Sequence, residues 1–513
     1  MPGIVIYGGE LGGVAAALSA ARRSPAGTEV SLVFPEGAPG GIATVGGHCA
    51  WERRPWTHGN RRADPQGGNF AVWLQELGPV YRPGSLAAAL GEDLAAAGVH
   101  VYPRHEIEAV LPVAVGARPA GRTRSRKPRS VPLGAIGALR LRPLEQGDQG
   151  PVLSPSADAV ELAGSVFVDA SATGRLARLS GLPTSVGRSD WNADGRQMAA
   201  SLLLAIEGLD WEALLAARDP ADKAIWGTTT ETSPDGLHRT FWGGAHVVTQ
   251  DAVLASFTEA HPGFRLGAPR AWEEERGVFW LSALHAYNVD GRRRAYDAGT
   301  ERDCEPVTMM SRDVDTVWEE ARRLAGSGDL LGALRRFPGL EGVRVVEVGG
   351  GPRTGEVLLL RETLHALGPK PDRFALTVED LTGAGVGAQD GLDQRHRARR
   401  IGLGFSWLES AGYTEGEVLR TTAAATNPAY LPLDAILCPP VTNLLIPGYA
   451  ARIESRAWWA MRTAPNQCVL GDAAGVAAAF SAREGIPVVR FGNAEVAAIQ
   501  NWLVGEGAVL DKW

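Results

Sequence analysis

The 513-residue sequence predicts an α/β protein in which a parallel-sheet domain, built from both chain ends (1–184 and 441–513), is interrupted by an α+β insertion over 185–440. Three observations carry this. An apolar strand, Ile4-Val5-Ile6-Tyr7, runs into the glycine turn Gly8-Gly9-Glu10-Leu11-Gly12-Gly13 and then the small-residue run Val14 to Ala21. A second apolar strand, Val166 to Ala170, has the composition of one buried on both faces. Between them and the C-terminal segment lies a Trp-rich stretch with scattered β-prone runs, of different character from either end.

The opening strand, turn and helix would present bare backbone N–H groups and a helix N-terminus to a pyrophosphate, so a bound dinucleotide is the first expectation. A G-x-G-x-x-G fingerprint needs glycine at 8, 10 and 13, but position 10 is Glu10. Either its side chain turns away and the backbone binds, or the motif is an ordinary tight turn. Glu29 to Phe34 follows as a second strand at βαβ spacing. Phe34 stands where a ribose-holding acid belongs, and Glu36 is the nearest substitute. Gly40 to Gly47 is a second glycine-dense stretch, where backbone approaches something closely or turns repeatedly.

Ser85 to Ala97 reads as a helix with Leu86, Leu90 and Leu94 on one face, followed by strands at Val99 to Tyr102 and Ile107 to Val113. Residues 114–150 read as a loop or hairpin excursion carrying the basic run Arg122 to Arg129. Without interleaved aromatics, that run reads as a solvated tip. Ser171 to Gly174 turns the chain into Arg175 to Ser180. In the insertion, strands are expected near Arg239 to Val248 and Gly277 to Leu284, and helices near Thr316 to Ala325 and His396 to Ala411. Val441 to Ile453 is strand-like. Val469 to Gly475 reads as a strand ending in glycine and an acid, with a helix starting at Val476. Val343 to Val378 could be a further strand, glycine loop and helix suited to a nicotinamide cofactor, or a turn between antiparallel strands in which Pro352 and Arg353 line a cleft.

Formal charge is 51 − 58 = −7, which provides no general field for nucleic acid or anionic lipid. No apolar run of about 18 residues is present, and the chain enters a core strand without a basic leader, so a cytoplasmic protein without a membrane span is expected. Cys49, Cys304, Cys438 and Cys468 lack C-x-x-C spacing and read as buried free thiols; no metal site is expected. A small molecule is the expected partner. The pattern carries no signal for an oligomeric state.

Four stretches together resemble bacterial FAD-dependent oxidoreductases with a glutathione-reductase-type, Rossmann-like FAD domain: Tyr7 to Ala17, Gly40 to Gly47, Val166 to Gly174, and Asn443 to Gly448 with Arg462 and Gly471 to Gly475. In the branch it resembles, a polar residue often replaces the middle glycine of the fingerprint. The resemblance implies FAD contacts at Gly8, Gly9, Glu10, Leu11, Gly12, Gly13, Glu36, Gly40, Gly41, Thr44, Ile107, Ala170, Gly174, Gly471, Asp472, Ala474 and Gly475. It also implies a helix N-terminus at Gly475 facing the flavin's pyrimidine edge. Thr354 and Glu356 stand where the family carries Glu and a second Arg, so the resemblance transfers the cofactor and not the reaction.

For catalysis, His48 is the candidate acid, base or flavin anchor, and Arg353 the candidate carboxylate clamp; each has a plainer reading, as a hydrogen-bonded histidine and an ion-paired arginine. Cys49 invites a thiolate role, and Trp458-Trp459 could flank the cleft or simply pack. Three functions follow: a dehydrogenase or oxidase of a small organic molecule, an NAD(P)H-dependent reductase or monooxygenase, and an FAD-binding protein without redox turnover.

Overall fold

The computed structural model describes residues 3–513 except 114–133, 148–149, 219–222, 244–251, 308, 367–373, 388–389, 418–419 and 422–424. Its first sheet comprises β1 (Gly3–Tyr7), β2 (Val30–Phe34), β3 (His100–Pro103), β4 (His105–Pro112), β5 (Ile136–Gly147) and β6 (Val160–Asp169), in the order β3-β2-β1-β6-β5-β4. β1 lies parallel to both neighbours, with Ile4 opposite Val30 and Val166. Ile4 to Tyr7 are all buried, as an interior parallel strand requires. Leu444–Leu445 pairs parallel with β6, returning the C-terminal segment to the first sheet.

Of the loop or hairpin expected over 114–150, the hairpin is what forms: β5 is antiparallel to β4 and also to β6, while the basic run 122–129 lies outside the described residues. Alternation marks it, with Leu139 and Leu141 buried and Arg140 and Arg142 turned outward into ion pairs.

α1 (Leu11–Arg23) connects β1 to β2 and is buried from Leu11 to Ala20. α2 (Pro83–Ala96) packs with Leu86, Leu90 and Leu94, the stripe its spacing predicts. α3 (Ala464–Glu484) overturns the expected strand at 469–475, because that stretch is the interior of one continuous helix. Its small residues serve helix packing: a Cβ on Gly471 or Gly475 would collide with the backbone of Gly12 or Ala16 in α1.

The second sheet is antiparallel: β7 (Ala200–Glu207), β8 (Trp226–Ser233), β9 (Gly236–Gly243), β10 (Phe264–Glu275), β11 (Val278–Ala286) and β12 (Arg344–Val345), in the order β8-β9-β10-β11-β7-β12. A helix at Val314–Ala325 matches the expected one. The helix expected at His396 to Ala411 is absent: a 3-10 segment, Leu392–Arg399, leads into a strand, Arg400–Gly404, paired with Ala429–Pro432. Glycine at 402 lets that strand lie against Val469 of α3, where a Cβ would collide.

Val343 to Val378 is not a second nucleotide unit. Glu347–Val348 and Gly351–Pro352 pair antiparallel across Gly349 and Gly350, both with positive φ, as a tight hairpin requires. The segment expected as a helix from Val357 runs without one and bridges β7 at Ser201 through Leu359.

Candidate cofactor and substrate site

Two glycine corners cross at the C-terminal ends of β1 and β2. The Gly40 N–H donates to the Gly9 carbonyl at 2.7 Å, and Glu10 pairs with Gly40 as an isolated bridge. Gly8 has φ +115, and a Cβ there would collide with the Ser171 backbone. α1 begins at once with Leu11, so its first N–H groups head this crossing. Side-chain-free backbone beside a helix N-terminus is the cradle a diphosphate needs.

On one side of the crossing, a cleft is lined by Tyr7, Gly8, Gly9, Glu10, Glu36 and Ser171 to Thr173, together with Glu106, Arg175, Arg292 and Arg294. Asp169, at the end of β6, shapes its wall by accepting from the Ser171 hydroxyl at 2.7 Å and the Ala177 N–H at 2.8 Å. Ala170 and Gly174 sit within this turn without lining the cleft. Ile107 is likewise displaced: its N–H donates to Glu106 at 2.7 Å and its carbonyl accepts from Arg175 at 3.1 Å, leaving Glu106 to face the cleft. Burial lifts the Glu36 carboxyl to about 7.

On the other side, a second cavity is lined by Glu10, Leu11, Ile42, Ala43, His48, Glu52, Leu359, Tyr449, Arg462, Ala464 and Gln467. Glu10 lines both. Its carboxylate accepts from the Ile42 N–H at 3.2 Å, and burial lifts it to about 8. The side chain therefore turns toward the second glycine corner, not out to water. The α3 N-terminus at Thr463–Ala464 reaches this cavity, so the positive end of the helix lies well before Gly475. Arg462 Nε is buried there without a hydrogen-bond partner. Bare crossing and helix N-termini together fit a long, anionic dinucleotide such as FAD.

The predicted contacts at Gly471, Asp472, Ala474 and Gly475 are corrected. They lie between α3 and α1, and none of them lines either cavity. Asp472 accepts from the Asn69 N–H and the Ser19 hydroxyl, both at 3.1 Å, and from the Asn69 amide at 2.5 Å; burial lifts it to about 7. It ties α3 to α1 and to the Gly68–Asn69 turn. Thr44 holds the second glycine turn, its hydroxyl donating to the Pro39 carbonyl at 2.7 Å.

His48 is buried in the second cavity, its ring tilted against Trp272 with centroids 4.8 Å apart and its Nε2 3.8 Å from Glu52. Burial keeps its pKa below the ordinary value. Burial works against ionisation of Glu52, yet His48, Arg462, Arg270 and Arg361 together hold that carboxyl at about 2. Arg353, by contrast, lines a separate cavity with Thr44 and Trp280 and is held by Glu274 at 2.7 and 3.0 Å. The plainer ion-pair reading of Arg353 is the one the structure bears out. Cys49 is buried, and that burial pushes its thiol well up, which disfavours the thiolate. Trp458 and Trp459 are packed, their indole N–H groups donating to the Arg361 carbonyl and the Tyr413 hydroxyl. Among the described residues, no group of three metal-ligating side chains occurs and no helix is long and apolar enough to cross a membrane.

Glu52 and Arg462 also line a third cavity of about 900 Å³, walled by Trp242, Trp272 and Trp407. Glu52, Tyr449, Ala464 and Gln467 escaped the sequence reading, as did Arg292 and Arg294. Thr463-Ala464-Pro465 was the available signal for the α3 start, since proline favours the first helical turn.

A family model of FAD dependent oxidoreductases matches residues 3–115 and 149–503, and the chain belongs to that family. It is accordingly an FAD-dependent oxidoreductase with a Rossmann-like nucleotide-binding core. No curated protein sequence matches. Similar solved structures include the flavin-dependent halogenase CmlS, at 11% identity over 98% of this chain and 61% of that one with a TM-score of 0.36. The myxobacterial chondrochloren halogenase CndH is 13% identical over 73% and 69% of the chains, TM-score 0.31. Glycerol-3-phosphate dehydrogenase from Bacillus halodurans, complexed with FAD, is 9% identical over 57% and 49%, TM-score 0.27.

Proposed function

We propose that the protein is a dehydrogenase or oxidase of a small organic molecule that enters the 900 Å³ cavity and meets the flavin across His48, Glu52 and Arg462. The observation that carries this reading is continuity: Glu10 is common to the first and second cavities, and Glu52 and Arg462 to the second and third. When bound, FAD supplies the two-electron acceptor. The adenosine end would rest among Glu36, Ser171 to Thr173 and Arg294, the diphosphate at the Gly8 and Gly40 corners, and the ring beside Ile42, His48 and the α3 N-terminus. That N-terminus favours negative charge on its ligand by about 0.3–1 kcal/mol.

His48 is buried and neutral near pH 7, which suits it to accept the substrate proton at a ring nitrogen, with Glu52 holding the resulting cation. Trp272 packs against the imidazole with ring centroids 4.8 Å apart. An NAD(P)H-dependent reading loses its main support with the hairpin at Gly349-Gly350.

The test is anaerobic spectral screening of the yellow protein against alcohols, amines, acids and NAD(P)H. An organic substrate should bleach the band at about 450 nm, and His48→Gln should slow that bleaching by roughly 10²-fold or more while leaving the starting spectrum unchanged. Rapid bleaching by NAD(P)H alone would contradict the proposal, as would an undiminished rate in the His48 variant.

A further inference from the structure

We propose that the third cavity selects a planar aromatic carboxylate, with Arg270 and Arg462 taking the carboxylate and the exposed indoles of Trp242 and Trp407 taking the ring. This rests on the function proposed above and names its substrate class. The cavity opens on Glu52 and Arg462, the two residues it shares with the His48 cavity, so a ligand anchored there lies next to the reacting centre.

Its aromatic walls are unusual for their exposure. Trp242 and Trp407 are 40% and 45% exposed, although indole is among the most favourable side chains to bury. The Arg54 guanidinium stands 4.1 Å over the Trp407 ring and Gly227 lies against Trp242, so a flat ring would cover the surface these partners leave open. Trp272, buried behind them, orients Arg270, whose guanidinium stands 4.9 Å over its ring.

The cationic side is equally specific. Arg53 also lines the cavity but is satisfied by Asp64 at 2.5 Å. Among the described residues, Arg270 has Glu52 as its one ion-pair partner, at 4.0 Å, and its Nε is buried without a hydrogen-bond partner. Arg462 has no carboxylate within ion-pair distance among the described residues; its Nε is unpartnered and one terminal nitrogen is 3.5 Å from the Glu409 carbonyl. Glu231, Glu409 and Arg62 also line the cavity, yet among the described residues only Glu52 comes within ion-pair distance of Arg270 and no carboxylate does so of Arg462, so both guanidinium groups keep open N–H donors. A monoanionic carboxylate meets those open donors in a forked geometry, whereas a dianion would be repelled by Glu52, Glu231 and Glu409 and an ammonium would leave the donors unmet.

The experiment titrates the purified holoprotein with 2-naphthoate, 2-naphthylmethanol and 2-naphthylmethylammonium, reading the flavin difference spectrum and tryptophan fluorescence. Naphthoate should bind at least about tenfold tighter than the alcohol, with the ammonium weakest. Arg270→Gln and Arg462→Gln should each erase that preference by about tenfold or more, Arg270→Lys restoring part of it, while Arg140→Gln on the first sheet changes nothing. Equal binding of the three probes overturns the proposal, as does a preference for the ammonium or an unchanged preference in folded arginine variants. Should the glutamine variants not fold, the wild-type ranking still decides. Colourless protein that nonetheless ranks the probes this way, by tryptophan fluorescence, upholds the aromatic-acid site and refutes the flavin reading separately.

Discussion

Glu10 is the residue at which the glycine motif breaks, and the structure gives the exception a physical meaning. Its carboxyl is buried against the Ile42 N–H and lifted to about 8, chiefly by burial and then by Glu36. The folded chain therefore keeps this proton over a range in which the unfolded chain has lost it, so flavin-free protein should lose stability as pH rises from about 4.5 to about 8. Glu36 and Asp472, both lifted to about 7, and Asp169, lifted to about 6, slope the same way. Glu10→Gln should flatten the upper part of that slope in melting temperatures measured between pH 5 and pH 9; a slope identical to wild type would refute the assignment. Asp472→Ala should cost about 2–4 kcal/mol in chemical denaturation by stranding Asn69 and Ser19 in the α1–α3 interface. A loss below about 0.5 kcal/mol would contradict that role. The glycine turns at Gly8 and Gly40 were legible because turn geometry is local, whereas the strand expected around Asp472 was misread because a strand end and a helix interior can carry the same five residues.

At the scale of elements, the strands were legible wherever periodicity or full apolarity marked them, as in β1, β2 and β6. β5 was anticipated only as one arm of a loop or hairpin, although Leu139, Arg140, Leu141 and Arg142 alternate in plain view, because the neighbouring basic run drew attention to the tip. α3 was cut short for a different reason. Gly471 and Gly475 read as breaks, yet they are the positions at which α3 approaches α1 backbone to backbone, a tertiary demand outweighing their low helix propensity. Gly471→Ala should therefore cost about 2–4 kcal/mol, as an added methyl meets the Gly12 backbone. Gly332→Ala, in the helix Gly328–Leu334 with open space around it, should stabilise by about 0.5–1 kcal/mol. Equal effects of the two substitutions on the denaturation midpoint would remove the close-packing account of α3.

At the scale of the whole molecule, the order of the three cavities along the chain's folded path joins the parts. The first glycine corner and Glu36 come from the N-terminal segment, Arg292 and Arg294 from the connection between β11 and β12, and Arg462 with the α3 N-terminus from the C-terminal end. No local pattern announces that residues so far apart share a trough, which is why the cofactor could be read from the sequence and the residues lining these cavities only in part. The most direct test is the amount of FAD released on denaturing the purified protein. The account predicts about one FAD per chain, restored on reconstitution after stripping; a protein that holds none and cannot be reconstituted would contradict it.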